Sequence, residues 1–273
     1  MIKLTLTLSE LQERCARPII EIGSLSLFSD ARRSFAAGVE KKRAYKNVCA
    51  LVTRCRGCTA ARSRVYIPTL GFGDVKSRHV FVGRNPTYLE GKIGYPFPVG
   101  TVRGTLFGRL LNGLGLERES CYTMFSMRCG MVGDKRPSQH DVEKCGYWTT
   151  VEFRKLQCPE IIYLLGVDAV RSVIGLGVGG IMDCIGQFYK YRVKEGDTPL
   201  LPAGHELWLI PMVHPVGLGL GQGTRDTNTE NNHSKVVREH VRQVKALVSS
   251  IGDSSSSVQG NLTGGEEIVS CRR

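Results

Sequence analysis

Four short apolar runs, alternating with amphipathic helical patterns, most restrict what this chain can fold into. The apolar runs occupy residues 79–83, 121–127, 160–166 and 206–213. The helical patterns occupy residues 102–114, 138–156, 167–174 and 234–251, and Ser138 is the predicted N-cap of the second one. Short apolar runs fit buried strands, and strands that alternate with helices favour a parallel sheet covered by helices. We therefore predict a three-layer α/β fold around a central, four-stranded, mainly parallel sheet.

The two flanks of this pattern differ from its centre in composition. Residues 1–45 are typical of a helical N-terminal extension rich in Arg and Lys, and the Ser/Gly-rich residues 252–273 predict a disordered tail. The sequence thus predicts one α/β domain over residues 46–251. Ligands of such sheets bind outside the carboxyl ends of the strands, which here means near residues 83–97, 125–129 and 214–220.

The chain of 273 residues has a formal net charge of +12, from 37 Lys and Arg against 25 Asp and Glu. This excess favours binding to a polyanion, although a scattered basic surface that only aids solubility would have the same charge. No stretch approaches the roughly 18 apolar residues of a membrane span, and the N-terminus lacks the apolar segment of a signal peptide. We therefore expect a cytoplasmic protein that does not contact a membrane.

A reducing compartment requires an explanation other than disulfides for the ten cysteines. Cys55 and Cys58 form a CxxC pair, which can hold a metal from one tight turn, and Cys129 and Cys145 are two further thiols that could complete the set. The spacing leaves zinc and an iron–sulfur cluster open. It also leaves open that the wider pair consists of ordinary buried thiols, or that Cys49 replaces one ligand.

Four motifs stand along the chain in the order found in one known family. They are the CxxC followed by Arg62, the segment VGRNPTYLEGKIGYPFPVG at residues 82–100, the cysteine pair with Pro137 between its members, and the His-Pro of MVHPVGL. Over residues 48–220 the chain resembles the iron–sulfur uracil-DNA glycosylases of bacteria, archaea and their viruses. The resemblance implies their fold, a monomer that binds DNA, and removal of uracil or a related modified base. It also implies a 4Fe–4S cluster, favoured over zinc, held by Cys55, Cys58, Cys129 and Cys145.

The same resemblance implies roles for individual side chains. Phe97 stands where the family stacks the extruded base, and His214 where the family donates a hydrogen bond to the leaving base. Glu90 stands in the acidic stretch expected to orient the attacking water. The resemblance also implies a base-binding group and a loop that presses into the duplex, with Leu218 as its wedge. The base-binding group is Gly83, Arg84, Asn85, Phe97 and Phe125, and the loop contains Pro215, Val216 and Leu218.

Three residues depart from the family pattern. Arg84 replaces a Glu or a similar residue, Phe125 replaces an Asn that reads the uracil edge, and Val216 replaces a small Ser or Ala. Losing an amide that pairs with the base edge weakens discrimination among bases. The sequence therefore leaves two hypotheses, a DNA glycosylase with an altered base pocket and a non-catalytic DNA-binding protein on the same fold.

Overall fold

A computed structural model describes residues 13, 19–41, 48–64, 66, 68–131, 133, 137–175, 177–218 and 227–257, with the backbone alone for residues 49, 217–218, 227–234 and 252–257. The strands are β1 (Ile20–Ile22), β2 (His79–Gly83), β3 (Cys121–Phe125), β4 (Ile161–Leu165), β5 (Tyr189–Arg192) and β6 (Glu206–Met212). The helices are α1 (Asp30–Glu40), α2 (Val48–Thr53), α3 (Thr59–Ser63), α4 (Tyr88–Ile93), α5 (Val102–Leu114), α6 (Gln139–Phe153), α7 (Val167–Val173) and α8 (Thr227–Ser257).

The strands form one sheet in the order β1-β5-β6-β4-β2-β3. Strands β6, β4, β2 and β3 pair in parallel and coincide with the four predicted apolar runs, while β5 is antiparallel to β6. The predicted α/β class is confirmed, but the sheet of the described residues has six strands instead of four. The two additional strands, IEI and YKYR, mix charged and apolar residues, so neither has the continuous apolar run by which the other strands were predicted.

Helices cover both faces of the sheet, as the three-layer prediction requires. On one face, Phe153 of α6 and Val170 of α7 pack against Val80 and Leu164 of the sheet. On the other face, Phe107 of α5 and Val244 of α8 pack against Phe81 and Tyr163. Ser138 is the N-cap of α6, and its side chain accepts a hydrogen bond from the Asp141 backbone N–H, which confirms that prediction.

The segment predicted as an N-terminal extension contributes to this core. Strand β1 pairs with β5, and Leu25, Leu27 and Phe28 are buried in the same cluster as α6 and α7. Arg154, at the end of α6, donates hydrogen bonds to Glu40 at the end of α1. Residues 19–41 therefore pack as part of the α/β domain. At the other end, α8 continues to Ser257, and residues 258–273 of the predicted tail lie outside the described residues.

Among the residues that the structure describes, no helix has the length and apolar character that crossing a bilayer requires.

The packing of Phe28 yields a test of this domain boundary. Its ring is 4% exposed and contacts Phe153 and Tyr191 at centroid distances of 5.6 and 5.9 Å. We expect Phe28→Ala to lower the free energy of unfolding by about 3–5 kcal/mol in urea denaturation, because the deleted ring leaves a cavity. Ile19→Ala is the control, since Ile19 is 46% exposed, and should change it by less than about 0.5 kcal/mol. Equal, small effects of both variants would show that the segment is a separate extension.

Candidate active site

The ends of β2, β3 and β6 lie at the carboxyl edge of the parallel strands. Gly83 ends β2 and pairs with Phe125, which ends β3, and His214 lies two residues after β6. A Cβ atom on Gly83 would lie 2.9 Å from the Phe125 ring and 3.2 Å from the tip of the Phe97 ring. Only glycine fits between these two rings, so three of the predicted base-binding residues are in one place.

Phe97 is positioned by a loop that the Glu90 carboxylate holds together. Thr87 is the N-cap of α4, and its backbone N–H and hydroxyl donate to Glu90 Oε2 at 2.8 and 3.0 Å. The Phe97 N–H donates to Glu90 Oε1 at 3.1 Å. Phe97 has a left-handed backbone with φ 50°, a conformation that costs free energy for a residue with a Cβ, so these bonds help to maintain it.

Glu90 has one further partner, Arg103 in the first turn of α5, whose Nη1 donates to Glu90 Oε2. A carboxylate has about four acceptor positions, and Glu90 accepts hydrogen bonds from four donors while being only 1% exposed. Three of these donors bond to Oε2 and one, the Phe97 N–H, bonds to Oε1. The role of Glu90 in orienting water stays a prediction, and its contacts here serve to position the loop and Arg103.

The predicted stacking residue and the predicted hydrogen-bond donor lie beside each other. The centroids of the Phe97 and His214 rings are 6.1 Å apart. Phe97 is fully buried and stacks on Phe107 at 4.5 Å, while Phe125 packs against it at 5.5 Å. Residues separated by more than a hundred positions in sequence therefore border one small volume.

His214 is held in its neutral form. Burial, followed by the positive charges of Arg103 and Arg84, lowers its pKa to about 3. Its Nδ1 accepts a hydrogen bond from the Val216 backbone N–H at 3.2 Å, and its Nε2 lies 2.9 Å from Arg103 Nη2. An N–H donor therefore faces each ring nitrogen, and a neutral imidazole accepts from only one of them, so the His214 proton lies on Nε2 when Val216 is the partner.

Arg103 is the functional candidate that the sequence analysis missed. It joins Glu90 to His214, and its guanidinium carbon lies over the Phe97 ring, 5.6 Å from the centroid. One signal was available in the sequence: a cation in the first turn of a helix is disfavoured by the helix dipole, and α5 has no acidic residue there. An arginine at such a position indicates a specific partner elsewhere.

The remaining predicted base-binding residues have protein partners. Arg84 Nε donates to Asn85 Oδ1 at 2.7 Å, and Asn85 Nδ2 donates to the Pro86 carbonyl oxygen at 2.9 Å. Arg84 also approaches Asp168 to 3.9 Å. Phe125 is fully buried and offers no hydrogen-bonding group where relatives are expected to have an amide. The floor of the site is consequently apolar, while its rim is positively charged.

The predicted DNA-inserting loop forms a short 3-10 turn, Pro215–Leu218, against α5. Val216 is 52% exposed, and Val99 and Val102 beside the Phe97 loop are 72% and 77% exposed. The side chain of the predicted wedge, Leu218, lies outside the described residues. The turn thus presents apolar surface next to the opening of the site.

The four predicted metal-ligating cysteines lie in one cluster. Cys58, Cys129 and Cys145 are buried together with Met127 and Val142, and Cys55 packs against them. Cys58 opens α3 and Cys145 lies on α6, and the two helices are joined because Asp141 accepts a hydrogen bond from the Thr59 N–H at 2.8 Å. Cys49, the possible substitute, is described by its backbone alone.

Each of the four sulfur atoms accepts a hydrogen bond from an N–H group. Gly57 donates to Cys55, Ala61 to Cys58, Arg128 to Cys145 and the Arg64 guanidinium to Cys129, at distances of 3.4, 3.4, 3.2 and 3.9 Å. Such bonds favour thiolates, whereas burial raises the pKa of Cys58 and Cys129, and that of Cys145 to about 12. Buried thiols surrounded by N–H donors fit a ligand set in which a bound metal removes the protons.

Within the described residues, no three His, Cys, Asp or Glu side chains are arranged to hold a single metal ion. A four-iron cube is larger than one ion, so its four thiolates stand farther apart than the ligands of a zinc site. Four cysteines gathered in one cluster fit a thiolate-held group such as an iron–sulfur cluster.

Cys158 departs from the expectation that disulfides are absent, because it is disulfide-bonded. It stands in the turn before β4, away from the four clustered cysteines.

Comparison with known proteins agrees with the fold. Residues 70–238 match the Uracil DNA glycosylase superfamily. The type-4 uracil-DNA glycosylase of Thermotoga maritima is 30% identical over 201 residues, which are 74% of this chain and 93% of that protein. The enzyme of the same name from Saccharolobus solfataricus is 26% identical over 204 residues, 73% of this chain and 84% of that protein.

A third relative, the type-4 uracil-DNA glycosylase of Archaeoglobus fulgidus, is 32% identical over 126 residues, 46% of this chain and 61% of that protein. This match spans less than two thirds of the relative. The superfamily match nevertheless covers more than half of the chain and includes strands β2, β3, β4 and β6 that position the site. The chain therefore belongs to the uracil-DNA glycosylase superfamily.

Proposed function

We propose that the protein is a DNA glycosylase that hydrolyses the N-glycosidic bond of uracil or a related modified pyrimidine. The observation that carries the proposal is the neutral, half-buried His214 ring 6.1 Å from Phe97 at the carboxyl edge of the sheet. An aromatic face and a neutral N–H donor are what an extruded base and its developing negative charge require. The relatives named above are uracil-DNA glycosylases, which supports the same reaction here.

In the proposed reaction, the bond between the base nitrogen and the sugar carbon breaks, and the electron pair leaves with the base. His214 Nε2–H donates a hydrogen bond to a base oxygen and stabilises this charge, while Nδ1 accepts from the Val216 N–H. The nearby cation of Arg84 favours the same anion. A water oxygen then bonds to the sugar carbon, and the proton that it loses neutralises the departing base.

We propose that Glu90 contributes by positioning Phe97 and Arg103, because its oxygen atoms already accept four hydrogen bonds. We further propose that the duplex is held by the basic surface and by the turn Pro215–Leu218, with the exposed Val216 next to the gap left by the base. Such an enzyme would act as a monomer in the cytoplasm, where it meets DNA.

A 4Fe–4S cluster held by Cys55, Cys58, Cys129 and Cys145 is the proposed cofactor. When bound, it would supply thiolate–iron bonds that join the CxxC turn to the end of β3 and to α6. The Cys129–Gly130 segment touches the loop that carries Glu90, since a Cβ on Gly130 would lie 3.0 Å from the Pro86 carbonyl oxygen. The proposed role is therefore to support that loop.

A specific observation also favours the second hypothesis, a DNA-binding protein without catalysis. Phe125 closes the floor of the site without a hydrogen-bonding group, and Arg84 stands where relatives are expected to have an acid. The deciding experiment incubates the purified protein with oligonucleotides containing uracil, hydroxymethyluracil or hypoxanthine and cleaves abasic sites with alkali. Release of any base supports a glycosylase, whereas a gel shift without release from the whole panel supports the binding protein.

His214→Ala should slow release of the preferred base about 10²–10³-fold in single-turnover assays, because one donor to the developing anion is lost. Binding of the oligonucleotide should be retained. His140→Ala is the matched control, since His140 is exposed on α6, and should react like the original protein. Equal rates for both variants would exclude His214 from the reaction.

The low pKa of His214 predicts the pH profile of base release. Because that pKa is about 3, the imidazole is neutral from about pH 5 to pH 8 and its donor N–H is present throughout. We expect no step in the single-turnover rate near pH 6.5, the ordinary value for a histidine. A step near pH 6.5 that disappears in His214→Ala would contradict this assignment.

Cys145→Ala should yield protein with less iron and acid-labile sulfide and without brown colour, because one of four ligands is removed. Cys184→Ala removes a buried cysteine outside the cluster and should leave iron, sulfide and colour unchanged. Iron, sulfide and zinc are measured on the same samples. Colourless protein with one equivalent of zinc would replace the iron–sulfur assignment by a zinc site.

A further inference from the structure

Arg103 occupies the space that the proposed function assigns to the base. One face of the Phe97 ring is covered by Phe107, so the guanidinium over Phe97 takes the other face. The same guanidinium lies 2.9 Å from His214 Nε2. It therefore contacts both groups that the base would use, the stacking ring and the hydrogen-bond donor.

A guanidinium and a pyrimidine share the shape and the stacking ability that fit the space beside Phe97. Both are flat, delocalised groups that stack on an aromatic ring. Phe97 is fully buried, so no second face remains for a base while Arg103 is in place. The base and the Arg103 side chain cannot share the volume, and one must leave before the other enters.

The contacts of Arg103 also make its departure possible. The Val216 N–H faces His214 Nδ1 and an Arg103 N–H faces His214 Nε2, and a neutral imidazole accepts from only one of these two donors. Arg103 also forms an ion pair with Glu90. The Arg103 side chain is 16% exposed and follows the highly exposed Val102, so it lies near the opening. A DNA phosphate there can compete with Glu90 for the guanidinium.

We propose that Arg103 is a gate, a side chain that fills the base position in the free protein and turns to the DNA backbone when a base enters. The inference rests on the proposed function in one respect, that this site takes a base. The gate lowers affinity for a free base, because only the fraction of molecules with Arg103 displaced can bind it. It also makes entry of a base depend on contact with DNA.

The test measures binding of free uracil to the full chain by isothermal titration calorimetry. A gate that is closed nine tenths of the time weakens binding about tenfold, so Arg103→Ala should bind uracil about tenfold more tightly or better than the original protein. Arg109→Ala, an exposed arginine on the same helix, is the control and should change nothing. Weaker or unchanged binding by Arg103→Ala, or no binding to either protein, overturns the proposal.

A second measurement uses the original protein and does not depend on folding of a variant. The Phe97 ring current should shift the Nε–H proton resonance of Arg103, assigned with Arg103→Lys, and saturating uracil should return it towards the value of an exposed arginine. A resonance that stays shifted when uracil is bound overturns the gate. On an oligonucleotide that carries a uridine analogue resistant to hydrolysis, Arg103→Ala should reduce the slope of log affinity against log salt by about 1, since one phosphate contact is lost.

The gate and the proposed reaction can fail separately. Tighter uracil binding by Arg103→Ala together with no base release from any oligonucleotide would retain the gate and exclude catalysis. Base release by the original protein together with weaker uracil binding by Arg103→Ala would retain the enzyme and exclude the gate.

Discussion

Parallel pairing of β6, β4, β2 and β3 brings to one edge of the sheet chain ends that are far apart in sequence. The register pairs Gly83 with Phe125, and the end of β6 places His214 beside them. Apolar side chains on both faces maintain this register, because a shift by one residue would exchange the side chains that face the two helical layers. The site therefore depends on the core of the sheet for its geometry, and its loops add the Phe97 ring.

One buried carboxylate then determines the charge and shape of the site. Glu90 holds the N-cap of α4, the Phe97 N–H and the Arg103 guanidinium, so a single side chain couples the loop to helix α5. A buried acid is tolerated only when it is paired and hydrogen-bonded, and Glu90 is both. The cation that it holds lies against His214 and lowers the pKa of that residue. Removal of Glu90 would thus disturb Phe97, Arg103 and His214 together.

Sequence reasoning identified the elements that have strong local signals. The four continuous apolar runs became the four parallel strands, and the Ser138 cap and helix α5 were predicted with their observed bounds. It missed β1 and β5, because a three- or four-residue strand with alternating charged residues has no apolar run. It also placed Phe28 in an extension outside the domain, since the contacts of Phe28 with Phe153 and Tyr191 are not visible in local sequence.

The site could be predicted only in part, because contacts between residues that are distant in sequence leave no local signal. Family motifs led to Phe97, His214 and the four cysteines, which lie in the expected neighbourhoods. The motifs did not reveal that Glu90 accepts four hydrogen bonds or that Arg103 lies over Phe97, because both facts depend on side-chain positions across the fold. Arg103 stands at the start of α5, and its positive charge is paired with the carboxylate of Glu90 on another helix.

The most direct test of the account is an anaerobic crystal structure of the protein with duplex DNA carrying a uridine analogue that resists hydrolysis. The account predicts an extruded base between the Phe97 ring and His214 Nε2, the Arg103 guanidinium on a phosphate, and one iron–sulfur cluster on the four clustered cysteines. A base that stays in the duplex or binds at another surface, with Arg103 still over Phe97, would contradict it.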